Sequence, residues 1–162
     1  MTTLIRRNAI AGPTQNDAIS GVAIREDATT PGRVWRGRGV TTTALSTGGV
    51  TVVGTEIAAD MLPGLVYEIE AHGTLKNGGV TGHSGWLEVQ SSGDNGVTWA
   101  PMAASDDAQF LELTEVPRFV YELIRPGTAV NRLRLVGYGG SSAVLLYGVG
   151  TMLRVTEHGT EP

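Results

Sequence analysis

The chain has 162 residues, no cysteine and a formal net charge of −4 at pH 7. The missing thiols exclude a disulfide framework and a thiolate metal site, and the acidic balance argues against nucleic acid as the main partner. The length suits one domain with a real core, and abundant Gly, Thr and Val with few helix-length windows point to an all-β domain.

The opening "MTTLIRRNAIAGP" has no apolar h-region, so it does not read as a secretory signal. No run has the length of a bilayer span, and the expectation is a protein made and soluble in the cytoplasm. Residues 1–40 carry Arg6, Arg7, Arg25, Arg33, Arg36 and Arg38 against only Asp17, Glu26 and Asp27, while Lys76 is the single lysine of the chain. Within this stretch "AGPTQNDAISG" and "REDATTPGR" are turn-rich and surround one short apolar piece, "ISGVAI". Too little apolar surface is present for a separate core, which predicts an extended N-terminal arm over 1–33. A basic arm on an acidic body suits a neighbouring acidic surface, another copy included; the same arginines are equally at home in plain solvent.

From Val34 the rhythm is strand, turn, strand, predicting a sandwich domain over 34–156. "VWRGRGVTTTAL" is β-prone but broken by Gly37 and Gly39, the mark of a bulge or an edge. "VTVVGTEI" follows a Gly48-Gly49 turn. In "LVYEIEA", Leu65, Tyr67, Ile69 and Ala71 alternate with Val66, Glu68 and Glu70, a strand with one wet face. "GWLEVQS" sets Leu87 and Val89 against Trp86, Glu88 and Gln90. "VTWAPMA", "QFLELTE" and "RFVYELIR" follow, and "NRLRLVGY" sets Leu133 and Leu135 against Arg132 and Arg134. "SAVLLYGVGTMLRV" reads as one long glycine-spaced strand, apolar on both faces, before a fraying polar tail over 157–162. Helix is confined to "EIAADML" or "ASDDAQFL" at most. Eight or nine strands at this spacing predict an antiparallel β-sandwich, jelly-roll-like in count.

One stretch, "SSGDNGVTWA", has the spacing Ser92, Asp94, Gly96, Thr98, Trp99. Asp94 can accept from backbone N–H groups just downstream, Gly96 and Asn95 can take positive φ, and Trp99 can close over the turn. The spacing resembles the Asp-box of sialidases, where it lies on propeller turns away from the active centre. This chain holds one copy and is too short for that propeller, so the motif reads as a structural hairpin. Tyr121 and Glu122 are adjacent on a strand and point to opposite faces, so they form no sialidase-type nucleophile pair. His72, His83 and His158 lack metal-ligand spacing. Asp94 and the Asp106-Asp107 pair read as solvated loop carboxylates in preference to a cation site. Glu68 and Glu70 share a strand face with no opposing acid, which argues for solvent over glycoside chemistry. The expectation is no enzyme, no cofactor and no metal.

The last apolar run offers two readings. Either it is central to the core, or Val144, Leu146, Tyr147, Met152 and Leu153 seal a subunit interface. With "VTVVGTEIAADMLPGLVYEIEAHGTLKNGG", "GWLEVQSSGDNGVTW" and "NRLRLVGYGGSSAVLLYGVGTMLRV" on the page, the chain resembles the jelly-roll virion proteins of tailed bacteriophages, of the head-decoration or minor-capsid type. That resemblance implies a homotrimer in the virion, assembled in the host cytoplasm. It also implies the major capsid protein as partner, with Arg6, Arg7, Arg33, Arg36 and Arg38 of the arm meeting capsid carboxylates, and no role for nucleic acid or membrane. The rival is a carbohydrate-binding module of a tail fibre or baseplate, using Trp35, Trp86, Trp99, Tyr67 and Tyr138. Two coplanar exposed rings would favour sugar, and buried ones a scaffold.

Overall fold

A computed structural model describes residues 32–77, 83–106, 108–110, 115–141 and 143–160. The strands are β1 Val34–Arg38, β2 Thr43–Ala44, β3 Val50–Thr51, β4 Ile57–Met61, β5 Val66–Asn77, β6 His83–Ser92, β7 Ala100–Ala104, β8 Ala108–Phe110, β9 Glu115–Ile124, β10 Val130–Gly139, β11 Val144–Leu146 and β12 Met152–Gly159. They form two antiparallel sheets facing each other, and no helix occurs among the described residues. Neither helical candidate is helical at its described residues. "EIAADML" becomes β4, whose alternation buries Ile57, Ala59 and Met61.

In the first sheet β5 is the axis. One edge of it pairs with β9 from Tyr67 to Lys76. The other edge pairs with β12 over Val66 to His72 and then with β11 over Leu75 to Asn77. β1 lies outside β12, and β2 outside β11. In the second sheet β10 has β6 on one edge and β3 and β4 on the other, and β6 passes on to β7 and β8. The core between the sheets joins Tyr67, Ile69 and Leu75 of β5 to Leu87 and Val89 of β6 and Leu133 and Leu135 of β10, all fully buried. The alternations read in "LVYEIEA", "GWLEVQS" and "NRLRLVGY" therefore point inward as expected. Each such Leu or Ile contributes about 1.5–3 kcal/mol by leaving water. Gly73 occupies an inward position of β5 because there is no room for more: a Cβ there would lie 2.8 Å from Leu146 Cδ1 and 2.9 Å from Thr151 Oγ1.

The last apolar run is not one strand. Leu146 faces Leu75 and Met152 faces His72, so six steps along this chain span three along β5. The surplus loops out between Tyr147 and Thr151, where Gly150 has φ +87° and Gly148 packs directly on the Thr41 backbone. Val144, Leu146 and Leu153, expected at a subunit interface, are fully buried inside this chain's own sandwich. The run is apolar because it fills the core beside β5. Only Tyr147 and Met152 of that set keep partial exposure. "VTVVGTEI" is interrupted likewise, by a turn at Gly54 with φ +89° that separates β3 from β4.

The predicted boundaries shift at both ends. β12 runs on to Gly159 through residues assigned to a fraying tail, and Glu157 is buried. Gly32 N–H donates to Glu157 O (2.6 Å), so Gly32 and Arg33 belong to the body. If Leu146 is a core residue, Leu146→Ala should cost about 2–5 kcal/mol in a denaturant titration. It should also leave the native mass unchanged, which a substitution at a subunit interface would not.

Candidate interaction surfaces

The Asp-box hairpin joins β6 to β7. Asp94 Oδ1 accepts from Ser92 Oγ (2.7 Å), Val97 N (3.1 Å) and Thr98 N (2.9 Å), and Oδ2 accepts from Thr98 Oγ1 (2.6 Å). Ser92 Oγ in turn accepts from Gly96 N (2.8 Å), with Asn95 and Gly96 both at positive φ. Trp99 Nε1 closes the turn on Gly96 O (3.0 Å). Asn131 clamps it to β10 by accepting from Asn95 N and donating to Gly93 O. Each polar group of the motif is thus engaged within the fold. The Thr98 hydroxyl and amide, then Ser92, pull the Asp94 carboxyl from its ordinary 3.8 down to about 2.

From this hairpin a polar and aromatic strip runs along the outer face of the second sheet. The Arg134 guanidinium lies 4.1 Å from the Trp99 ring centre and donates twice to Gln90 Oε1 (2.9 and 2.7 Å). Gln90 Nε2 donates to Glu88 Oε1 (2.7 Å), which also accepts from Tyr138 Oη (2.9 Å). Burial, then the Glu88 carboxylate, holds the Tyr138 phenol above its usual range. Trp86 and Tyr138 are directly opposed across β6 and β10, with centroids 4.8 Å apart and planes 3° from parallel. These two rings are stacked face to face, not laid side by side. Gly49 backs the Tyr138 ring closely enough that a Cβ there would be 2.7 Å from it. Trp35 packs against the fully buried Tyr67 and under Arg33. The aromatic faces expected to serve a sugar are largely occupied by this chain's own side chains.

Of the arm arginines, Arg6 and Arg7 lie outside the described residues. Arg33 is tied to the body: Nε pairs with Glu157 Oε2 (3.1 Å), Nη2 donates to Asp60 O (3.1 Å), and the guanidinium caps Trp35. Arg36 and Arg38 stand exposed on β1, the outermost strand of its sheet at this end among the described residues.

The outer face of the first sheet is built differently. Along β9, Phe119, Tyr121 and Leu123 are 67%, 64% and 57% exposed, while Val120 is buried. They lie opposite His72, Glu70 and Glu68 of β5. Two adjoining shallow depressions share His72 and Met152. Around the row Arg154 pairs with Glu70 (2.8 Å) and Lys76 with Glu115 (3.4 Å), and His158 Nε2 lies 3.3 Å from Glu68 Oε2, while Arg36 and Arg38 share the face, in line across β12 and β5 with Tyr121 and Phe119. Tyr147 Oη donates to Glu115 Oε1 (2.9 Å). This accounts for Glu68 and Glu70, whose outward placement matches the sequence pattern. Among the described residues no cluster of His, Asp and Glu could hold a metal ion, and His83 and Asp106 sit apart from the row. The apolar row was not singled out in the sequence. Its signal was there in "RFVYELIR", apolar at positions on both faces, yet such a strand is indistinguishable from a fully buried one until its edge position is known.

No known family profile matches the chain, and no curated protein matches it. Its fold does have counterparts among solved structures. The VP2 protein of the infectious bursal disease virus subviral particle is 16% identical with a TM-score of 0.57, over 81% of this chain and 34% of that one. The infectious bursal disease virus Gt strain structure is 15% identical with a TM-score of 0.55, over 79% and 33%. Eiger, a TNF from S. frugiperda, is 7% identical with a TM-score of 0.55, over 82% and 96%. The class of fold is therefore an antiparallel jelly-roll sandwich of the kind seen in viral capsid proteins. At these identities the likeness concerns fold alone, and the chain spans about a third of the length of the viral chains it matches.

The lowered Asp94 value gives a test of the hairpin. A depressed carboxyl stabilises the folded turn fully above its ordinary 3.8, and the contribution is lost as pH falls through about 2. NMR shifts of the Val97 and Thr98 amides should titrate with a midpoint near 2 in the wild type, and Asp94→Asn should abolish that titration.

Proposed function

We propose that this chain is a non-enzymatic structural protein of a bacteriophage virion. It attaches as a trimer to the outer surface of the head and cements neighbouring subunits of the major capsid protein. The observation that carries the reading is the junction at Gly32 and Arg33, in a jelly-roll sandwich of capsid type. There the body fixes the root of a segment that carries Arg6 and Arg7 to a strand that itself presents Arg36 and Arg38.

Attachment works by summed weak contacts. Arg6, Arg7, Arg36 and Arg38 meet carboxylates of the shell, each exposed pair contributing about 0–1 kcal/mol. Arg33 serves instead as the anchor, since its guanidinium is engaged by Glu157, Asp60 and Trp35. Once one arm of a trimer is bound, the others act at high local concentration, which raises affinity by roughly 10²-fold or more. The carbohydrate-binding alternative has a polar strip in Glu88, Gln90 and Arg134, but the stacking of Trp86 on Tyr138 and of Arg134 on Trp99 leaves it little ring surface.

Removal of residues 1–31 should leave a folded protein of unchanged oligomeric state that no longer co-sediments with undecorated phage shells. Full-length binding should weaken steeply as salt is raised. Equal shell binding by the shortened protein would sink the role given to the arm.

A further inference from the structure

We infer that the outer face of the first sheet docks an acidic protein surface, that of the shell subunit. Arg36 and Arg38 of β1 supply the charge of the contact, and Phe119, Tyr121 and Leu123 of β9 its apolar anchor. The inference rests on the shell-binding role proposed above, to which it adds the side of the sandwich that faces the shell.

The charged and the apolar parts belong to one surface. Arg36 lies in line with Tyr121, through Arg154 and Glu70, and Arg38 with Phe119, through Met152 and His72. With strands about 4.8 Å apart, β1 and β9 are separated by roughly 14 Å. Two adjoining depressions carry the surface across: one runs from Arg38 to His72 and Met152, the other from there to Phe119 and Tyr121. At the exposures of the β9 row, and with roughly 150–250 Å² for a large aromatic side chain, the row leaves on the order of 300–400 Å² of apolar surface bare. That is comparable to the largest patch on a typical monomer. The exposed Val34, Arg36 and Arg38 extend it towards the ~800 Å² per partner of a stable interface.

Charge selects the occupant. Among the described residues neither Arg36 nor Arg38 has a carboxylate partner. Arg36 also stands directly opposite Arg154, a like-charge pair that costs stability until an anion sits beside it. Arg154 has one carboxylate, Glu70, and its Nε is buried without an acceptor. Three guanidiniums thus share one carboxylate among the described residues, and a partner's acids make up the deficit. An identical face offers none that is free, since its Glu70, Glu68 and Glu115 already accept from Arg154, Tyr121 and Lys76. A polyanion fits poorly as well. Glu68 and Glu70 lie on β5, between the arginines and the row, where they repel a phosphate or sulfate backbone crossing the sheet. A folded protein can set carboxylates opposite β1 and apolar side chains opposite β9 while leaving the acids of β5 alone.

The test is co-sedimentation of the full chain with undecorated phage shells, titrated at low and at high salt. Wild type is compared with Arg36→Gln/Arg38→Gln, with Phe119→Thr/Leu123→Thr, and with Val97→Ser, a control on the exposed hairpin of the other sheet. Loss of the two arginines should weaken binding by roughly two- to tenfold at low salt and flatten its salt dependence. Loss of the two apolar side chains should weaken it about tenfold or more at both salts, with native mass and circular dichroism unchanged. Val97→Ser should bind as wild type does. A row variant that binds like wild type would overturn the proposal, because the contact is then charge alone. So would a row variant of reduced native mass, because the row then seals copies of this chain. Labelling gives a check independent of affinity, since the chain has no cysteine of its own. Shell binding should protect Val34→Cys, on this face, from a maleimide and leave Val97→Cys reactive; the reverse would overturn the assignment of the face. Failure of the shell-binding role looks different: wild type itself then stays in the supernatant, which defeats both readings, whereas a binding wild type with an indifferent row defeats the docking face alone.

Discussion

Period-two alternation along β5 sends Tyr67, Ile69, Ala71 and Leu75 inward and Glu68, Glu70, His72 and Lys76 outward, and the first sheet takes its register from that division. β9 is aligned along one edge of β5, and β11 and β12 share the other. A one-residue slip of any neighbour would turn its buried side chains to water, so the core fixes which residues each strand can show. The outward identities of β9 and β12, on which any partner would act, follow from β5 and from the sheet packed on it.

How far this was legible in the sequence depended on whether a strand had one wet face. Where polar and apolar residues alternate, as at Glu68 and Glu70, at Trp86, Glu88 and Gln90, or at Arg132 and Arg134, the facing was readable and the sandwich with it. Where a strand is apolar throughout, local pattern says nothing about side. Val144, Leu146 and Leu153 allowed either a core strand or a subunit interface and are core. Phe119, Tyr121 and Leu123 looked like ordinary strand and are exposed. Only the long-range pairing of each strand with β5 decides between these cases. The loop at Tyr147–Thr151 was hidden for a related reason, since glycines inside an apolar run mark a bend without saying how many residues it absorbs.

The two outer faces treat aromatic rings in opposite ways. On the second sheet, rings and charges satisfy one another in a chain from Tyr138 through Glu88, Gln90 and Arg134 to Trp99, and the Asp-box hairpin holds its far end. Such a network stiffens a face and leaves little of it for new contacts. On the first sheet the rings of β9 keep most of their surface exposed, although His72 tilts against Phe119 (6.2 Å) and Tyr121 Oη donates to Glu68 Oε2 (3.4 Å). A motif that resembles a sugar-protein signature thus belongs to the self-contained face, and the face with the more exposed rings carries no recognisable motif.

The pairing of β1 with β12 brings Gly32 beside Glu157, so the first and last strands of the body leave from one place. A short linker would bridge them, and a new opening at the exposed Gly64 turn, which joins a strand of one sheet to a strand of the other, would cut no ladder. The fold is in that sense circular. A segment joined ahead of Gly32 and one fused behind β12 would connect to the body at the same corner.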